Sequence, residues 1–164
     1  MHFSCETGDE TNRGRKIDLT VKPRGAVIVI SGRRHNKYDA LFPIECKRLP
    51  TPKKKDRDER EYVITEPGTT GGIQRFKFAH HGATHSFAAM IGFVQGKTMS
   101  YWKGRVNRWI SQLAKRPNPQ WHLSDKLQKL QNKKSSKLHV LHSSHQRIGG
   151  LDDIELRHLW IEMN

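Results

Sequence analysis

Between residues 17 and 22 apolar and polar positions alternate: Ile17, Leu19 and Val21 face one way, Asp18 and Thr20 the other. A period of two belongs to a half-buried strand. The pattern returns over 41–49, with Phe42, Ile44 and Cys46 on one face and Glu45 and Lys47 on the opposite one. Residues 2–6 predict a short strand before a polar turn over 7–14. The β-branched run 26–30 predicts another strand, or a continuation bent at Pro23 and Gly25. Residues 87–94 are nearly all apolar, which suits a central strand covered on both faces.

Two helices interrupt the strands. One begins around 70–72 and carries Ile73, Gln74, Phe76 and Lys77. The other is capped by Thr98, and its apolar residues Met99, Trp102, Val106, Trp109, Ile110 and Leu113 recur at helical spacing. Gly104 costs that helix about 1 kcal/mol, and Pro117 and Pro119 end it. Residues 51–60 read as a charged loop too polar to pack, mobile or touching substrate. Residues 125–131 predict a short helix, and 137–146 and 154–162 two strands joined at Gly149 and Gly150.

This order predicts an α/β fold, a mixed sheet flanked by helices with a C-terminal strand pair. A chain of 164 residues fits one domain over 1–164, with a core over roughly 2–116 and a basic C-terminal extension over 117–164. No apolar run is long enough to span a bilayer, and no basic segment followed by an apolar one opens the chain, so a soluble, cytoplasmic protein without a membrane partner is expected. Two cysteines far apart, Cys5 and Cys46, argue against a disulfide framework or a four-cysteine zinc site.

Charge changes the picture. Thirty Lys and Arg against sixteen Asp and Glu give a net charge of +14, and from Lys97 to Arg147 twelve basic residues face one acid, Asp125. So lopsided a balance favours a polyanion as partner. Lys103, Arg105 and Arg108 flank the apolar face of the second helix as candidate nucleic-acid contacts. Tyr101, Trp102 and Trp109 are candidates for base stacking, although their spacing also suits core packing.

The candidate chemistry lies where charge interrupts apolar strands. Glu45 and Lys47 leave one face of a strand whose other face is apolar, and desolvating such groups is costly. A hairpin joining that strand to the earlier one brings Asp18 towards Glu45. Two converging carboxylates suit Mg²⁺, a hard cation that prefers oxygen.

An Asp on one strand followed by Glu-x-Lys on the next core strand resembles the PD-(D/E)XK nuclease superfamily, the restriction-endonuclease-like fold. That family's αβββαβ core compares with the strands, helix and strand of 2–94. The resemblance implies a metal-dependent nuclease hydrolysing phosphodiester bonds, in DNA above RNA, with Mg²⁺ or Mn²⁺ as cofactor. It implies Asp18 and Glu45 as metal ligands, the Cys46 carbonyl as a third, and Lys47 positioning the attacking water. Gln74 and Phe78 resemble the Gln-x-x-x-Tyr element of RecB-like members, with Phe for Tyr. Arg75 is then a phosphate contact, and Glu6 the further acid that many members place early. A homodimer is an assembly that restriction-like enzymes often adopt. The chain departs from the family in having Ile17 before its Asp where Pro is usual, and in showing no opening helix before the first strand.

Other readings stand beside this one. Glu45 and Lys47 also fit an ordinary pair on a solvated strand, and Asp39 is an alternative first acid. His80, His81 and His85, or His139, His142 and His145, offer a histidine metal site without the usual tight ligand set. His145 and Arg147 are candidate phosphate contacts. An inactive nucleic-acid-binding module of the same fold, or a basic RNA-binding protein, accounts for the charge alone.

Overall fold

The computed structural model describes residues 1–9, 12, 14–30, 32–53, 57–130 and 137–163. Its strands are β1 (His2–Gly8), β2 (Lys16–Lys22), β3 (Val27–Ile30), β4 (Arg33–Asn36), β5 (Phe42–Leu49), β6 (Phe87–Val94), β7 (Gln128–Lys129), β8 (Leu138–His145) and β9 (Ile154–Glu162). The helices are α1 (Gly72–Lys77) and α2 (Met99–Leu113). Among the described residues seven strands form one mixed sheet in the order β1-β2-β5-β6-β9-β8-β7, while β3 and β4 pair separately. β1, β2 and β5 run antiparallel in succession, β6 lies parallel to both β5 and β9, and β8 returns antiparallel to β9.

This order explains where the helices lie. β5 crosses through α1 to β6, and β6 through α2 to β7 at the far edge, from which β8 and β9 return, so both crossovers step in the same direction across the sheet. Right-handed crossovers that keep one direction put their helices on one face. Ile73 and Phe76 of α1 accordingly share a core with Val106 and Ile110 of α2 and with Met90 and Trp160 of the sheet. Both helices therefore lie on one face of the sheet, where the expectation had them flanking it. Ala88, Met90 and Val94 of β6 are buried on the helix face; on the opposite face Ala89 is buried and Ile91 and Phe93 are half-exposed, so the expected cover on both sides holds in part.

The stretch read as an extension is integral to this sheet. β9 pairs with β6 over its whole length, and Trp121, Leu127, Leu141, Ile154, Leu156 and Trp160 join the same core as α2. In place of the helix expected over 125–131 stand a 3₁₀ turn at Leu123–Asp125 and the two-residue β7; Gln131 lies outside the described residues. Thr98 caps α2 by accepting from the Tyr101 N–H at 3.2 Å. Among the described residues no helix is long and apolar enough to cross a membrane.

A buried polar chain runs through the core. The Trp160 indole N–H donates to Tyr62 Oη at 2.7 Å, and Tyr62 Oη lies 2.8 Å from His158 Nδ1. Ser143 Oγ is 2.8 Å from His158 Nε2 and 2.6 Å from His145 Nε2, and His145 Nδ1 is 3.0 Å from Asp125. An indole only donates and a carboxylate only accepts, so both ends fix the direction. Tyr62 donates to His158, His158 to Ser143, Ser143 to His145, and His145 to Asp125. Both imidazoles are then neutral, in accord with the burial that pushes their pKa values down. Lys77, itself buried, closes the chain on Asp125 at 3.1 Å and on the Gln146 carbonyl at 2.9 Å.

His145 is therefore not a phosphate contact. Nor is Arg147, whose guanidinium donates to the carbonyls of Asp152 and Gly82 at 2.5 and 3.0 Å.

Burial also pushes His81 down to about 4. Three imidazoles that stay neutral when folded but take a proton near pH 6.5 when unfolded make stability fall as pH drops below that value. We expect the urea midpoint to decline steadily from pH 7 to pH 5. A flat profile would mean that these rings are charged in the fold.

Candidate functional site

β2 and β5 part company midway. Their ladder covers Leu19↔Ile44, Thr20↔Pro43 and Val21↔Phe42, and one step further the register sets Asp18 opposite Glu45. There the backbone pairing gives way to a side chain: Asp18 Oδ2 accepts from the Cys46 N–H at 2.7 Å. β5 continues beside β6 to Leu49, and among the described residues no strand pairs with its outer edge beyond Ile44. A cavity of about 450 Å³ lies beside β5, bordered by Cys46, Lys47, Arg48, Arg57, Glu61 and Phe93, with neither Asp18 nor Glu45 in its lining. The N–H and C=O of one strand residue project to the same side, so the Cys46 carbonyl faces the gap that Asp18 borders.

Glu45 is 1% exposed. Its Oε1 takes Arg75 Nη1 at 2.6 Å and Lys47 Nζ at 3.1 Å, whereas its Oε2 is buried without a hydrogen-bond partner. Burial raises the Glu45 pKa, opposed by the charges of Lys47 and Arg75 and reinforced by the negative charge of Asp18. The register places the two carboxylates on facing positions of adjacent strands. A buried carboxylate oxygen without a donor is costly, and a cation between Glu45 and Asp18 would relieve that cost.

Among the described residues no group of three or more His, Cys, Asp or Glu side chains is arranged to hold a metal ion. Mg²⁺ needs less, since one or two carboxylates with waters suffice. The donor set of two carboxylates and one strand carbonyl fits such an ion.

Lys47 is held from two sides, by Glu45 and by Glu61 at 3.3 Å. Arg57 grips Glu61 with two nitrogens, each at 2.7 Å. Glu61 was not anticipated. It lies just beyond the loop 51–60, in which Thr51 alone of the described residues is buried, whereas Glu61, Tyr62, Val63 and Ile64 directly after it are all buried. Lys54–Asp56 of the loop lie outside the described residues. The available signal was Tyr62-Val63-Ile64, an apolar triplet directly after an acid. This segment docks onto the start of α1, where Gly72, Ile73 and Gln74 donate their N–H groups to the carbonyls of Glu61, Tyr62 and Val63 at 2.9–3.1 Å.

Glycine permits that approach. A Cβ on Gly71 would stand 2.3 Å from Ile64 Cα, and one on Gly72 2.9 Å from the Tyr62 carbonyl and 3.3 Å from Lys47 Cγ. Gly71→Ala should therefore lower stability by roughly 1–3 kcal/mol in urea unfolding. An unchanged midpoint would show that the segment moves aside freely.

The remaining predicted residues divide. Arg75 joins the carboxylates, on Glu45. Gln74 does not: its Oε1 accepts from the N–H groups of Thr65 and Gly71 at 3.2 and 3.1 Å, and its Nε2 donates to Gly68 at 3.3 Å. It fastens the turn before α1, and Phe78 packs edge-on against Trp121. Glu6 is exposed and pairs with Lys16 at 3.4 Å. Asp39 organises its own loop, accepting from the Asn36 backbone and side chain, each at 3.0 Å. On α2, Arg105 pairs with Glu59 at 2.9 Å and lies over the Trp109 ring, Lys103 is half-buried and Arg108 is exposed. Trp102 and Trp109 face the core, whereas Tyr101 is exposed.

The histidines do not assemble either. His81 Nδ1 stands 3.8 Å from Asp9, and His85 Nε2 is 2.8 Å from the Ala40 carbonyl.

No family model, curated protein or solved structure matches this chain.

Proposed function

We propose that this protein is a metal-dependent nuclease of the restriction-endonuclease-like class, hydrolysing phosphodiester bonds in DNA at the gap between β2 and β5. The observation that carries the reading is the buried, unpartnered Glu45 Oε2 beside Asp18. The antiparallel β1-β2-β5 run and the parallel crossover through α1 to β6 accord with it. So does the net charge of +14.

Glu45, Asp18 and the Cys46 carbonyl would hold Mg²⁺, which when bound polarises the phosphate and lowers the pKa of an attacking water. Lys47, fixed between Glu45 and Glu61, presents an ammonium to orient that water and to steady negative charge developing on the phosphate. Arg75 neutralises Glu45 at rest and carries a guanidinium that would turn towards a phosphate oxygen. Glu61, gripped by Arg57, limits where Lys47 can point.

The test is incubation of the purified chain with duplex and single-stranded DNA, with Mg²⁺, Mn²⁺ or chelator. Cation-dependent products are expected, and their absence with both ions argues against catalysis.

One observation favours a second reading, an inactive DNA-binding module. The Arg75–Glu45 contact of 2.6 Å balances the buried acid without any cation. On that reading the chain binds DNA equally well with chelator or Mg²⁺, and the cations leave its melting temperature unchanged.

A further inference from the structure

The hairpin of β3 and β4 belongs to neither the sheet nor the core. Among the described residues its strands pair only with each other, Val27↔Asn36 through Ile30↔Arg33. An isolated pair of four-residue strands has little stability in water, and apolar side chains left outside on it call for a partner. Val29 is 64% exposed, Val27 48% and Tyr38 73%. The register sets Val27, Val29, Arg34 and Asn36 on one face, while Ile28 and His35 on the other are half-buried. Asn36 is occupied in organising the following loop, so this face offers valine methyls beside the exposed guanidinium of Arg34.

The charge around it is of one sign. From Thr20 to Tyr38 the sequence holds five basic residues, Lys22, Arg24, Arg33, Arg34 and Lys37, and no acid. Asp39, the first acid after them, is spent inside the loop. The hairpin is also inserted between the two strands that carry Asp18 and Glu45, its base closed by Leu41 N–H on the Val21 carbonyl at 2.8 Å. Lys22 follows Asp18 by four residues, roughly 13 Å of strand, a span of about four base pairs along a duplex at 3.4 Å per pair.

We infer that this hairpin is a groove-binding ribbon that enters the major groove of B-form DNA a few base pairs from the carboxylate pair. A two-stranded ribbon fits that groove, about 12 Å wide. Arg34 reaches guanine edges or phosphates, Lys37 reaches phosphate, and the Val27 and Val29 methyls pack against thymine methyls. The inference deepens the nuclease reading and rests on it for the choice of DNA.

Its test needs no cleavage. With chelator present, anisotropy of a labelled 20-base-pair DNA duplex is titrated with the native chain, Val29→Asp and the pair Arg34→Gln, Lys37→Gln. Because the altered side chains are exposed, the melting temperatures should match, which checks folding. We expect each variant to bind at least about tenfold more weakly. The dependence of log Kd on log salt should become shallower by about two for the double variant, near 0.9 for each cation lost. Duplex RNA, whose major groove is too deep and narrow for a ribbon, should be insensitive to Val29→Asp.

Unchanged DNA affinity and salt slope in both variants would overturn the inference. So would equal sensitivity on duplex RNA. Failure of cleavage with this binding pattern intact would count against the catalytic reading alone.

Discussion

Glu45→Gln is expected to reduce cation-dependent DNA cleavage by at least about a thousandfold while leaving DNA affinity in chelator within about threefold. The substitution keeps the side chain's shape and removes its charge. A neutral amide neither holds Mg²⁺ as a carboxylate does nor offsets the ammonium beside it. Asp18→Asn should lose activity to a similar degree, for it removes the opposing carboxylate. The fold should survive both changes. Glu45 is strained towards its neutral form by burial, so the amide relieves desolvation even as Arg75 loses a partner, and Lys47 keeps Glu61 at 3.3 Å.

The raised pKa of Glu45 adds a pH signature. Cation binding requires the ionised carboxylate, so affinity should start to weaken, as pH falls, above the range where ordinary carboxylates titrate. That weakening should vanish in Glu45→Gln together with the binding. Full activity in Glu45→Gln would remove the basis for metal catalysis at this site.

The second large effect is on stability. Asp125→Ala should cost about 3–5 kcal/mol in urea unfolding, because it leaves a buried ammonium uncompensated. Lys77 is 1% exposed and stands 3.1 Å from Asp125. The same change strips His145 of its acceptor and frees the His122 N–H that Asp125 also binds. Against a total of about 5–15 kcal/mol for a domain, such a loss brings the chain close to unfolding. Adding Lys77→Met should recover much of the loss, since removing both charges of a buried pair is often nearly neutral. If Asp125→Ala alone costs under about 1 kcal/mol, the chain from Trp160 to Lys77 is not the tightly coupled network that its distances describe.

Much of this architecture was legible in the sequence. Alternation located β2 and β5, the run of apolar residues located β6, and the Thr98 cap with its helical spacing located α2. Residues 154–162 were read with the bounds of β9. The misreadings have physical causes. Arg33–Asn36 carries no apolar alternation, so β4 was invisible, whereas the run over 26–30 was read as a further strand or a bent continuation of β2 and is the separate strand β3. Covering of β6 on both faces was inferred from composition, but coverage depends on the direction of crossovers, which needs the strand order.

The site divided along the same line. Asp18, Glu45 and Lys47 sit on regular strands, where a period of two tells which side chains share a face. Glu61 sits on an irregular segment held by the first N–H groups of α1, and no periodicity reports that docking. Gln74 was placed at the site by resemblance, whereas its amide is spent on Thr65, Gly68 and Gly71.

The most direct measurement is anomalous scattering from crystals soaked in Mn²⁺. One manganese peak is expected between the carboxylates of Asp18 and Glu45, near the Cys46 carbonyl, and it should be lost in Glu45→Gln. Absence of manganese there at saturating concentration would contradict metal binding at this site.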